Sequence, residues 1–146
     1  AERIGYANVG FLEGAIEALD ATNAQGEPLV ADSSIDVVLS NCVLNLVNPS
    51  ARQQLLQNIR RVLRPAGRVA ISDIVCDRPV PMALQQDAEL WSGCISGAWL
   101  EEAFLEDFRA LGFEQVQYAE RSETPWRVVE GIEFRAVTLT GALPNG

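Results

Sequence analysis

The sequence predicts an α/β fold: a mostly parallel sheet that ends in an antiparallel strand pair and is flanked by helices. Three observations predict it. The continuous apolar run Val37-Val38-Leu39 has the composition of a parallel strand covered on both faces. In the segment that follows, Leu55, Leu56, Ile59, Val62 and Leu63 recur as one stripe at the helical period. Two strand-like segments close the chain with no helical pattern between them.

Asn8 to Glu13 reads as a short strand ended by Gly14, and residues 15 to 20 as a short turn or helix. Asn23 to Asp32, with Gly26 and Pro28, is a polar loop, and Ile35 to Ser40 is the next strand. The clearest helix runs from Ala51 to Arg64. Asn48-Pro49 supplies its N-cap and first turn, and Pro65 and Gly67 stop it. Arg68 to Val75 is a strand; Pro79 and Pro81 then lead into a helix from Met82 to Trp91. A helix from Leu100 to Leu111 puts Phe104, Phe108 and Leu111 on one face, with Gly112 at its end. Gln115 to Glu120 and Ile132 to Thr140 are the closing strands. Residues 1–140 make one domain, and 141–146 read as a frayed, disordered tail.

A chain of 146 residues with 48% apolar content fills one domain core. Eleven Lys+Arg against 20 Asp+Glu give a formal net charge of -9, which argues against nucleic-acid partners and anionic membrane surfaces. Every cation is Arg; the chain has neither Lys nor His. That excludes a Lys Schiff base, Ser-His and Cys-His nucleophile pairs and any His-ligated metal site. Cys42, Cys76 and Cys94 are odd in number and lack C-x-x-C spacing, so no disulfide framework or zinc knuckle follows and a reduced, cytoplasmic setting is expected. No apolar run approaches the roughly 20 residues of a transmembrane helix, and no signal-peptide pattern opens the chain. Ala1 as first residue points to a removed start Met or to a chain cut from something longer.

Five stretches carry a family resemblance: Asn8-Val9-x-Phe11-Leu12-Glu13-Gly14-x-Ile16-Glu17, Ser40-Asn41-Cys42-Val43-Leu44-Asn45-Leu46, Arg61-Val62-Leu63-Arg64-Pro65-Ala66-Gly67, Ser72-Asp73-Ile74, and Leu90-Trp91-Ser92-Gly93-Cys94-Ile95-Ser96-Gly97-Ala98. Together they resemble the later part of a class I S-adenosylmethionine-dependent methyltransferase, most closely the arsenite methyltransferase group. The resemblance implies a truncated Rossmann-like fold whose first two strands are missing, with S-adenosylmethionine as the family's cofactor. It implies that Ile16 and Glu17 lie beside the adenine, the carboxylate accepting from the exocyclic amine. Ser40 and Asn41 would pass near the sulfonium, in keeping with ligand binding beyond the strand ends of open α/β sheets. Cys94 matches a position whose thiolate holds trivalent arsenic, a soft element that favours sulfur. A three-thiolate site would need help from Cys42 or Cys76.

Blander readings stand beside these. Cys42 follows an apolar strand and reads as a packing residue, while Cys76 is open between packing and ligation. Glu17 taken alone reads as a solvated acid, and only its place in the matched motif points to the adenine; Trp91 and Trp99 read as a lid or as hydrophobic cover, and Arg60, Arg61 and Arg64 as a solvated helix face. No catalytic acid or base is assigned, and no metal site. Ala66 stands where the family has a glycine.

The family's glycine-rich loop and its acidic ribose-gripping strand end precede the matched region, so the chain is expected neither to bind S-adenosylmethionine nor to transfer methyl groups alone. In the parent fold the missing strands lie between Asn8–Glu13 and Ile35–Ser40, which leaves an open edge on the most apolar strand. A homodimer through residues 35–46 is the expected remedy. The others are direct pairing of the early strand, or a partner that supplies the missing half and completes an active methyltransferase. A further alternative is a non-catalytic, thiol-based metalloid-binding domain.

Overall fold

The computed structural model describes residues 7–89, 95 and 97–145. Strand β1 (Ile35–Asn41) is followed by short 3-10 turns at Leu44–Leu46 and Pro49–Ala51, helix α1 (Arg52–Val62) and the long strand β2 (Leu63–Cys76). Helix α2 (Met82–Gln85), strand β3 (Trp99–Leu100), helix α3 (Glu101–Ala110) and strands β4 (Glu114–Arg121), β5 (Arg127–Val129) and β6 (Ile132–Ala142) complete the order. The sheet runs β1-β2-β6-β4, with β3 beside β2 and β5 beside β6. It is mixed: β1–β2 and β2–β3 are parallel, whereas β6 is antiparallel to β2, β4 and β5. The α/β class and the antiparallel closing pair stand.

The two longer helices form where apolar residues recur at helical spacing. Leu55, Leu56 and Ile59 of α1 and Phe104 and Phe108 of α3 join one core with Val69, Ile71 and Val75 of β2 and Val137 and Leu139 of β6. Asn48 caps the 3-10 turn ahead of α1 by accepting from the Ser50 amide at 3.0 Å. Gly112 ends α3 at φ +95, a left-handed conformation that glycine adopts without strain. Among the described residues no helix is long and apolar enough to cross a membrane.

Five expectations need correction. Asn8 to Glu13 is not a strand; Phe11 and Leu12 lie exposed, Phe11 at 82%. An isolated strand leaves its backbone N–H and C=O groups without a ladder, and among the described residues no strand pairs with this segment. β1 is not covered on both faces: Leu39 is 74% exposed and Val37 is also open. Both core helices pack on the face of Val69, Ile71 and Leu139, and the opposite face opens into a trough of about 410 Å³ lined by Val37, Leu39, Ala70, Gln117 and Thr140.

The α1 stripe ends at Val62, and Pro65 and Gly67 fall inside β2. They belong to an irregular stretch where Ile35 faces Leu63 but Val37 faces Arg68. Ala66 sits there at φ +64, its amide donating to the Pro144 carbonyl at 3.1 Å. The tail does not fray at Thr140: β6 runs to Ala142, and Leu143 is buried and bonds Gly67. Of the helix expected from Met82 to Trp91, α2 holds Met82–Gln85; Trp91 lies outside the described residues.

Candidate functional site

The first candidate segment is the 3-10 turn Ile16–Ala18, docked on α1. Ile16 packs against the main core, and the Glu17 carbonyl accepts from the Asn58 side-chain amide at 3.0 Å. Asn58 is a polar residue on the buried stripe of α1, and it also donates to Gln54 while accepting from Arg61. Burying an amide is tolerable because its groups are matched.

The second segment is the carboxyl end of β1. Ser40 faces Ile71 and Asn41 faces Ser72 in the parallel ladder. The Ser40 hydroxyl is buried with no hydrogen-bond partner among the described residues, while Asn41 is exposed. Cys42 follows at φ +57, its amide donating to the Ser72 carbonyl at 2.8 Å. The expectation that Cys42 packs in the core is wrong: it is exposed, because the turn carries it beyond the covered part of the sheet.

Behind this turn lie two residues with no assigned role in the sequence reading. Asp73 is 2% exposed, and its carboxylate accepts from the Ile74 amide at 3.1 Å and the Asn45 amide at 3.3 Å. Burial pushes its pKa up to about 6, against the opposing pull of those amides and of Arg52. The Asn45 side chain donates to the Ile74 carbonyl at 2.7 Å. A signal was present: each is a polar residue inside an apolar run.

Cys76 is buried too, its thiol 3.4 Å from the Trp99 carbonyl. Burial, then the nearby Asp77, push the thiol up to about 11, so it stays protonated near neutrality. It borders a small cavity of about 210 Å³ with Arg52, Trp99 and Asp107. Arg52 lies 4.7 Å over the Trp99 ring and donates to the Gly97 carbonyl; burial lowers its pKa to about 10. Trp99 is core cover, edge-on to Phe104 at 4.9 Å. Cys76 lies four residues beyond Ser72 on β2, about 13 Å along the strand, so Cys42 and Cys76 do not converge. Among the described residues no group of three or more His, Cys, Asp or Glu could hold a metal ion. Cys94 lies outside the described residues.

Comparison with known proteins decides the family. The profile of the methyltransferase domain matches residues 1–123. The chain belongs to that family. Over 99 residues it is 42% identical to the arsenite methyltransferase of Halobacterium salinarum, a match covering 65% of this chain and 24% of that protein. Over 120 residues it is 38% identical to the arsenite methyltransferase of Aquipseudomonas alcaligenes, covering 82% of this chain and 32% of that protein. The crystal structure of CrArsM, an arsenic(III) S-adenosylmethionine methyltransferase from Chlamydomonas reinhardtii, superposes with a TM-score of 0.74 at 30% identity over 93% of this chain and 44% of that one. The methyltransferase segment described here thus spans a quarter to a third of its curated relatives and is a partial domain.

The residues present fit S-adenosylmethionine in part. Ser40 offers an orphaned hydroxyl at a strand end, and Glu17 a half-buried carboxylate on a turn fixed to the core. Among the described residues no glycine-rich strand-to-helix loop is found: the connections after β1 (42–51) and after β2 (77–81) contain no glycine.

Proposed function

We propose that this segment is the acceptor-side portion of an S-adenosylmethionine-dependent methyltransferase acting on trivalent arsenic. As an isolated polypeptide it neither retains the cofactor at micromolar concentration nor transfers methyl groups. The observation that carries the reading is β1: Ser40, Asn41 and Cys42 stand at its carboxyl end, Leu39 is exposed, and its outer edge pairs with no strand among the described residues. The names of the relatives support the substrate.

Bound S-adenosylmethionine supplies a methyl group on a sulfonium, and its transfer depends on alignment more than on acid–base chemistry. Ile16 and Glu17 would take the adenine, and Ser40 and Asn41 the sulfonium side. Cys94, with exposed Cys42, would bind the acceptor; buried Cys76 packs. Methyl transfer to arsenite is the test, with the chain alone and mixed with the preceding half of an arsenite methyltransferase. Activity is expected in the mixture only; activity of the chain alone, or none in the mixture, contradicts the reading.

Exposed Val37 and Leu39, on a strand whose outer edge pairs with no strand among the described residues, favour a second reading, self-association through residues 35–46. Light scattering at micromolar concentration should then show a dimer that Leu39→Lys converts to monomer. A monomeric wild type would sink it. A non-catalytic metalloid-binding role would appear as arsenite affinity lost in Cys94→Ser, and equal affinities would exclude it.

A further inference from the structure

We infer that Asn45 and Asp73 are positioning residues: they clasp the turn after β1 to β2 and so set how Ser40, Asn41 and Cys42 are presented. The inference rests on the reading of this strand end as the cofactor side. The β1–β2 ladder ends at Asn41 and Ser72. Beyond it no strand among the described residues pairs with the backbone of 42–46, and other bonds hold it. The Cys42 amide reaches the Ser72 carbonyl at 2.8 Å, the Asn45 amide reaches Asp73 Oδ2 at 3.3 Å, and Asn45 Nδ2 reaches the Ile74 carbonyl at 2.7 Å. Three consecutive residues of β2 thus hold one turn.

The turn needs holding. Cys42 sits at φ +57, a left-handed conformation that a non-glycine residue keeps only when its surroundings impose it. Asn45 and Asp73 are each 2% exposed. Stability alone would favour an apolar pair at such positions, because a buried carboxylate is costly even when hydrogen-bonded. The pair gives a fixed direction to the turn, which apolar packing supplies poorly. Arg52 of α1 is the charged group that acts on Asp73 from the facing helix.

Amide hydrogen exchange on the whole chain, compared among wild type, Asn45→Ala and Asp73→Asn, tests the clasp. Exchange at residues 42–46 should accelerate about tenfold in Asn45→Ala and less in Asp73→Asn, which keeps one acceptor oxygen, while the β4–β6 ladder is unchanged. Unchanged exchange at 42–46, or equal acceleration throughout, would overturn the clasp. A second arm adds millimolar S-adenosylhomocysteine and follows the amide resonances of Asn41 and Cys42. Shifts are expected in the wild type and lost in Asn45→Ala. Local acceleration without wild-type shifts would overturn the cofactor-side reading and, with it, the positioning role.

Discussion

Asn58, in the middle of α1, donates its side-chain amide to the carbonyl of Glu17, 41 residues earlier in the chain, at 3.0 Å. This bond fixes the candidate adenine-side turn to the core, and the same amide also donates to Gln54. Asn58→Ala removes a buried partner from Glu17 and from Arg61 together. The expected cost is about 2 kcal/mol, read by urea denaturation, with exchange at residues 16–18 rising most.

Asp73 gives stability a defined pH signature. Its folded pKa of about 6 lies above the ordinary 3.8, so the folded chain binds the extra proton. Sign and window follow: this carboxyl destabilises the fold above pH 6, and the penalty fades as pH falls through 6 toward 4. The wild type should gain about 2–3 kcal/mol from this group between pH 7 and pH 4. The gain should vanish in Asp73→Asn, leaving only the shared effect of the other carboxylates. Parallel pH profiles for the two proteins would contradict it.

Ala66 occupies a left-handed φ of +64 where the family resemblance places glycine. Ala66→Gly should therefore stabilise by about 1 kcal/mol, net of the glycine's extra unfolded-state entropy, and raise the melting temperature. A lowered melting temperature would show that Ala66 contributes packing that outweighs the strain.

The helices are legible in the sequence because each carries its own evidence: Leu55, Leu56 and Ile59, or Phe104 and Phe108, mark one buried face by spacing alone. The family and the closing strands are legible for the same local reason. What local pattern could not supply was context. Val37-Val38-Leu39 and Val9 to Leu12 have strand composition, yet burial depends on what packs beside them, and here one is an open edge and the other pairs with nothing described. Cys42, read as a packing residue, is exposed because it sits at a left-handed φ of +57 past the end of β1, and Cys76, left open between packing and ligation, is buried beside Trp99. The Asn45–Asp73 contact joins residues 28 apart, and only the polar interruptions of two apolar runs hinted at it.

The two described thiols should differ in reactivity. Cys42 is exposed, whereas Cys76 is buried, donates toward a carbonyl and has its pKa pushed to about 11. Peptide-resolved alkylation at pH 8 should label Cys42 roughly a hundredfold faster than Cys76 in the native chain, the difference collapsing in denaturant. Comparable native rates would show that the Arg52–Trp99 cavity bordering Cys76 opens readily.

Titration calorimetry of the isolated chain with S-adenosylmethionine reads the central claim most directly. A strand end that offers Ser40 and Asn41 without a glycine-rich loop beside it predicts no heat of binding at micromolar concentration. Saturable binding with low-micromolar affinity would contradict it and make this segment a self-sufficient cofactor site.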